Sequence, residues 1–263
     1  MRTEINENPI AIDKIELENK VKDMYREVAL NPKGKFHFEM GRALAERLGY
    51  LPADLDKIPA ESIESFAGVG YYFHFADIKE DEHIIDFGSG AGMDTFIAAL
   101  KTGKSGRVVG IDMTYEQRAK AMLLRDQAGF SQVSYFEGYL DKVPIEDESF
   151  NVVISNGVIN LAPEKDKVFN EMARVLKPGG RIAISDIVSE TQLSEEIKCN
   201  INLWASCIGG AMQQDKYLKA VENAGLQIKK IQDNPQYYFL SKSALGASKD
   251  YGVKSISLLA VKG

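Results

Sequence analysis

Apolar positions recur at helical spacing near the start of the chain, at Leu17, Val21, Met24, Tyr25 and Val28, and predict an amphipathic helix. Asn31-Pro32-Lys33-Gly34 ends it. A second helix is expected over Glu39 to Leu48, and Pro52 and Pro59 each suit the start of a short helix. The segment from Phe66 to Phe75 is dense in aromatic rings, which pack the N-terminal segment on a sheet, wall a substrate pocket, or do both. From Ile84 to Asp186 short apolar strands alternate with helix-forming runs, the pattern of a parallel sheet with helices on both faces. In such sheets ligands bind at the carboxyl ends of the strands, where Gly88, Asp112, Leu140 and Asn156 all fall. Beyond Asp186 the pattern changes. A helix is expected over Ser194 to Cys207, then Gly209-Gly210, then a helix over Asp215 to Ala224 that Gly225 breaks. Strands Gln227 to Gln232 and Ser255 to Val261 complete the sheet as a hairpin-like pair. The architecture predicted is α/β: a doubly wound, mostly parallel, seven-stranded sheet with an N-terminal helical cap. Residues 1–80 form the cap and pocket segment, and residues 81–263 the sheet domain.

One stretch carries most of the chemistry. The strand ending Ile84-Ile85-Asp86-Phe87 runs into Gly88-Ser89-Gly90-Ala91-Gly92, and a helix-forming run from Phe96 to Leu100 follows. Glycine lets the backbone turn sharply and lets a ligand approach the main chain. The next strand, Arg107 to Ile111, ends in Asp112, 20 positions beyond Gly92. A nucleotide-binding fold places there the carboxylate that holds ribose hydroxyls. A dinucleotide fingerprint needs glycine at its sixth position, so that a pyrophosphate can sit on the helix N-terminus. Met93 stands there, which counts against the alternative of a nicotinamide-dependent oxidoreductase. A non-catalytic module that keeps the loop is a third reading.

Composition narrows the classes. Of the 263 residues, 44% are hydrophobic and 27% charged, ordinary values for a globular chain with a core. The net charge of −6 gives no basic field for nucleic acid. Met1 to Leu17 is too charged for a secretory signal, and no apolar run reaches membrane-spanning length, so a cytoplasmic protein is expected. Cys199 and Cys207 are its two cysteines; with His37, His74 and His83 they lack zinc-ligand spacing, and no metal site is expected.

Asp86 followed by glycines at 88, 90 and 92 resembles motif I of the class I S-adenosylmethionine-dependent methyltransferases. Gly138-Tyr139-Leu140-Asp141 matches the segment where that family flanks adenine, Ser149 to Asn156 its fourth strand, and Arg174-Val175-Leu176-Lys177-Pro178-Gly179-Gly180-Arg181 the turn before its fifth. The resemblance is strong from Ile84 to Asp186. It implies a Rossmann-like methyltransferase fold and S-adenosylmethionine as cofactor. Asp86, Gly88, Ser89, Gly90, Gly92, Asp112, Met113, Tyr139, Leu140 and Asn156 would then face the cofactor. Tyr25 either closes over it, as the resemblance implies, or is buried in the cap. The substrate implied is a small molecule, with neither nucleic acid nor membrane as partner.

Methyl transfer is an in-line displacement at a sulfonium-activated carbon, and the protein supplies position, orientation and water exclusion. A general base is needed only if the nucleophile arrives protonated. His74 and Asp186 are the candidates. Asn156 orients the substrate or lines the methyl site, and Asn160 is a candidate cap for the helix that follows.

Three segments, Gly110 to Thr114, Ser155 to Leu161 and Trp204 to Ala211, resemble the arsenite methyltransferases, a group similar to the quinone C-methyltransferases. That group binds trivalent arsenic through several cysteine thiolates from separate segments. Cys207 matches one of them, but Gly157, Ile159 and the Phe66 to Tyr71 stretch stand where the family carries others. One thiolate forms no chelate, and Cys199, eight positions from Cys207, would lie about 80° away around a helix. An apolar or aromatic organic acceptor is therefore expected, with Tyr71, Tyr72, Trp204 and Cys207 on the substrate side.

Overall fold

The computed structural model describes residues 13–198, 200, 203–204 and 208–263. Its centre is β1 (His83–Phe87), where Ile84, Ile85 and Phe87 are all buried, as a strand covered on both faces requires. β1 pairs in parallel with β2 (Arg107–Asp112) on one side and β4 (Phe150–Asn156) on the other. β3 (Val133–Glu137) extends the sheet beyond β2, and β5 (Leu176–Ser189) extends it beyond β4, both in parallel. β7 (Leu226–Asp233) and β8 (Lys254–Lys262) close the far edge as antiparallel strands, in the order β3-β2-β1-β4-β5-β8-β7. This is the mostly parallel, doubly wound sheet expected. It differs by an eighth strand, β6 (Met212–Gln213), whose two residues pair with the end of β5 and are too few to leave a pattern in the sequence.

The helices divide between the faces. On one side α2 (Arg42–Leu48), α3 (Pro52–Leu55), α4 (Ala60–Glu64) and α5 (Phe73–Ala76) join α6 (Met93–Thr102) and α7 (Tyr115–Ala128). Their residues Leu44, Leu55, Ile63 and Tyr72 share one apolar cluster with Ile84, Phe96 and Val108, so the N-terminal segments have the sheet as their core. On the other side α8 (Lys165–Val175) buries Val168, Phe169, Met172 and Val175, and α10 (Gln214–Asn223) buries Tyr217 and Val221. The ring edge of Phe169 meets Tyr217 at 5.0 Å between centroids. The first helix, α1 (Lys14–Leu30), buries Leu17, Val21, Val28 and Ala29 and lies against α7. Its N-terminus is capped by Asp13, whose carboxylate accepts from the Ile15 and Glu16 amides.

Two local expectations change, and a third is described only in part. β7 and β8 pair, but residues 234–253 intervene and contain α11 (Lys242–Tyr251), which buries only Ala244 and Ala247 and so shows no apolar stripe. The helix expected over Ser194 to Cys207 falls partly outside the described residues; within it α9 (Glu195–Lys198) and the helical Leu203 and Trp204 are described. Cys199 and Cys207 lie outside the described residues. Asn160 belongs to a 3₁₀ turn, Ile159–Leu161, and does not cap α8, whose N-cap is Glu164.

Because Phe169 is fully buried between α8 and α10, Phe169→Ala should destabilise the protein by about 3–5 kcal/mol. Urea unfolding should show a lower midpoint with an unchanged slope; an effect below about 1 kcal/mol would mean that this interface collapses to fill the hole.

Candidate active site

The strand order reverses between β1 and β4, and the crevice at their carboxyl ends is where such sheets bind ligands. The loop after β1 fills the base of that crevice. Gly88 and Ser89 both donate their amides to the Ile111 carbonyl, at 2.8 and 2.9 Å. The Gly90 amide donates to Asp112 Oδ2 at 2.9 Å, and the Thr114 amide to Asp112 Oδ1 at 2.8 Å. Gly90 has φ +52° and Gly92 φ +92°. A Cβ on Gly90 would meet nothing nearer than Gln117 Oε1 at 3.8 Å, whereas one on Gly92 would lie 2.2 Å from the Tyr135 hydroxyl. The two glycines therefore serve different ends: Gly90 leaves space for a ligand, and Gly92 lets the chain pass over Tyr135 into α6.

Above the loop is a cleft of about 280 Å³. Asp112, Met113, Tyr139 and Leu140 line it, and so do the apolar Phe66, Val158, Leu161 and Pro163. Leu17, Val21 and Tyr25 of α1 form a roof. Gln117 Nε2 donates to the Tyr25 carbonyl at 2.9 Å, and Tyr139 donates to Glu18 at 2.7 Å. A Lys14–Glu164 ion pair at 3.1 Å ties the start of α1 to the far side of the cleft lining. Exposed pairs of this kind add little stability each, so the buried Leu17 and Val21 anchor the helix. Two buried polar atoms of the cleft residues, Ser89 Oγ and Gln117 Oε1, have no hydrogen-bond partner within the protein. Ser89 Oγ lies against Gly110 of β2, since a Cβ on that glycine would be 2.7 Å from it.

Between loop and sheet lies a polar knot. Asp94, in the first turn of α6, accepts from Tyr50 at 2.6 Å, Tyr72 at 2.7 Å and Asn156 Nδ2 at 3.1 Å. Asn156 Oδ1 accepts the Val69 amide at 2.8 Å, and its Nδ2 also donates to the Tyr50 hydroxyl and the Gly70 carbonyl, each at 3.1 Å. Asn156 lines the cleft, but its amide is engaged in holding residues 66–70 against β4. Burial pushes the Asp94 carboxyl above the usual range, against the pull of its three donors. Asp86 is raised further, by burial and by the nearby Asp94, with Thr95 as its one side-chain donor. Sequence reasoning missed Asp94 and Tyr50. An acid two places after the last glycine, in the first turn of a helix, was the available signal.

Several expected site residues lie elsewhere. Of the cofactor set, Asp86, Gly88, Ser89, Gly90, Asp112, Met113, Tyr139, Leu140, Asn156 and Tyr25 line the cleft, and Gly92 does not. His74 is exposed on α5, stacked on Tyr71 at 5.5 Å and outside the cleft. Asp186 is buried away from the cleft, where it accepts from the Ile187 and Asn160 amides and the Tyr217 hydroxyl; burial pushes its carboxyl up to about 6. Tyr72 lies fully buried behind Asp94, and Tyr71 packs edge-on to Tyr50 at 4.9 Å, so neither walls the cleft. Trp204 is buried beneath α1 in the cluster of Leu17, Val21 and Leu161, with the Lys165 ammonium 5.0 Å from its ring. Such placements depend on side-chain direction across the whole fold, which residue spacing does not encode. Cys207 falls outside the described residues. Among the described residues no group of three or more His, Cys, Asp or Glu could hold a metal ion.

The family model of a methyltransferase domain matches residues 78–225, more than half of the chain. The chain belongs to the methyltransferase domain family. Over 187 residues it is 38% identical to the arsenite methyltransferase of Halobacterium salinarum, covering 71% of this chain and 48% of that protein. A 2-phytyl-1,4-beta-naphthoquinone methyltransferase of Arabidopsis thaliana is 29% identical over 43% of this chain and 45% of its own length. Among solved structures, an arsenic (III) S-adenosylmethionine methyltransferase from Chlamydomonas reinhardtii superposes with a TM-score of 0.62 at 25% identity, covering 85% of this chain and 74% of that one. The chain thus falls among the class I S-adenosylmethionine-dependent methyltransferases, with similarity to arsenite methyltransferases. It spans half or less of the length of the curated relatives named here. S-adenosylmethionine is the cofactor of this methyltransferase domain, and the glycine floor and the Asp112 carboxylate fit it.

The two glycines of the loop should separate in a binding experiment. Gly90→Ala should fold, at a cost of about 1 kcal/mol for a left-handed alanine, and lose at least about tenfold in S-adenosylhomocysteine affinity by calorimetry. Gly92→Ala should lower the melting temperature far more, because the Tyr135 hydroxyl has to move. Full affinity in Gly90→Ala would mean that no ligand approaches that backbone.

Proposed function

We propose that this methyltransferase domain transfers the methyl group of S-adenosylmethionine to a small, largely apolar or aromatic organic acceptor. The observation that carries the reading is the apolar lining that Phe66, Val158, Leu161 and Pro163 give the cleft. The bound cofactor supplies a carbon already activated toward displacement. Asp112 accepts the ribose hydroxyls, Met113, Tyr139 and Leu140 flank the adenine, and the Gly88 to Gly90 backbone takes the amino-acid end. Leu17, Val21 and Tyr25 keep water from the reacting centre, and Asn156 holds the loop that carries Phe66. With His74 and Asp186 outside the cleft, neither serves as a base, and the acceptor presents its own lone pair or electron-rich carbon.

Residues 1–80 act as cap and pocket segment on a cofactor domain of residues 81–263. With a net charge of −6 and no described helix long and apolar enough to cross a membrane, we place the reaction in the cytoplasm, on a free small molecule rather than nucleic acid or lipid surface.

A second reading, methylation of arsenite, is favoured by the identity with arsenite methyltransferases. It would have to work with two cysteines in the whole chain, whereas Ile159 is fully buried and Gly157 lies against Val69.

One experiment addresses both. Purified protein with methyl-labelled S-adenosylmethionine and a metabolite extract should give a labelled organic product identifiable by mass spectrometry. Arsenite with glutathione should give no labelled product above background. Rapid methylation of arsenite, abolished by Cys207→Ser, would replace the organic acceptor with the metalloid.

A further inference from the structure

Three carboxylates from the loop region face the cleft, Asp86, Asp94 and Asp112, and their surroundings differ. Each oxygen of Asp112 already accepts a backbone amide of the loop. Asp86 is buried with a single side-chain donor, Thr95 Oγ1 at 2.8 Å, and burial together with the nearby Asp94 pushes its carboxyl well above the usual range. Asp94 is 6% exposed and accepts from three neutral donors, Tyr50, Tyr72 and Asn156. Hydroxyls and amides stabilise a carboxylate without cancelling its charge. No lysine or arginine forms an ion pair with Asp94 among the described residues. Burial raises the Asp94 carboxyl above its usual range and its three donors work against that rise, so what support the ionised form has comes from neutral donors and not from a cation.

We propose that Asp94 is the residue that discriminates the charge of the donor, favouring the sulfonium form over the neutral thioether that remains after transfer. The inference rests on the reading of the cleft as an S-adenosylmethionine site. In the transfer, the acceptor's electron pair forms the new bond to the methyl carbon, and the carbon–sulfur bond breaks with its pair left on sulfur. Sulfur thereby loses its positive charge. A fixed, incompletely solvated carboxylate attracts the charged donor more than the product, because its field acts in a region of low effective dielectric. Asp94 would then raise the occupancy of the cleft by donor and ease the departure of product. Its three donors favour the ionised form and fix its direction, so Tyr50 and Tyr72 act as positioning residues.

The test compares two ligands that differ in this charge, S-adenosylmethionine and S-adenosylhomocysteine, by titration calorimetry on the full chain. Asp94→Asn should weaken the donor by about tenfold or more while changing the product by less than about threefold. A residue that only shapes the fold would weaken both alike, and a parallel loss, or no loss for the donor, overturns the proposal. Tyr50→Phe and Tyr72→Phe remove one neutral donor each and keep the carboxylate. They should cut the donor-to-product preference by about twofold to fivefold, and they decide the matter if Asp94→Asn does not fold. An unchanged preference in both tyrosine variants also overturns it. Binding of neither ligand by the unmodified protein would remove the cofactor reading itself, an outcome distinct from a parallel loss in the variant.

Discussion

The structure depends on how the loop after β1 is tied to the end of β2. Two amides of the loop share the Ile111 carbonyl, and a third binds the Asp112 carboxylate. Those bonds hold a turn of three left-handed glycines against a neighbouring strand. The loop can then neither spread over the sheet nor close the crevice at the switch between β1 and β4. Everything placed above it, from Met113 and Leu140 to the roof of α1, takes its distance from that fixed floor.

A second constraint acts at right angles to the first. Asn156, at the end of β4, bonds the Val69 amide and the Gly70 carbonyl and also reaches Asp94 and Tyr50. One amide therefore joins the central sheet, the start of α6 and the segment that carries Phe66. Gly68 permits this approach, since a Cβ there would lie 2.7 Å from Asn156 Nδ2. The apolar lining of the cleft is thus framed by a polar knot. Its shape is set by hydrogen bonds that leave little freedom, while its inner surface stays greasy.

Segments before and after the central domain contribute differently. Leu44, Leu55, Ile63 and Tyr72 enter the main core and belong to the sheet as much as the helices do. α1 meets the rest through buried Leu17, Val21, Val28 and Ala29, through Gln117, Ser65 and Lys120, which bond the Tyr25, Val28 and Ala29 carbonyls, and through the Lys14–Glu164 and Arg26–Glu116 pairs.

Periodicity and glycine placement were enough to read the sheet, the cofactor loop and Asp112 from the chain alone, because each is a local pattern: a run of apolar residues, a turn that only glycine adopts, an acid at a strand end. Most of the expected cofactor residues fall in the cleft for that reason. What tertiary structure decided is which side chains meet. His74, Tyr71 and Tyr72 sit in the right stretch of sequence, yet one points to solvent, one packs on Tyr50 and one is sealed behind Asp94. Asp186 ends the right strand but is held by Tyr217 and the Asn160 amide, away from the cleft. The contacts that make Asp94 and Tyr50 part of the site run from residue 50 to 94 to 156, and no local spacing can show that three such distant residues converge on one carboxylate.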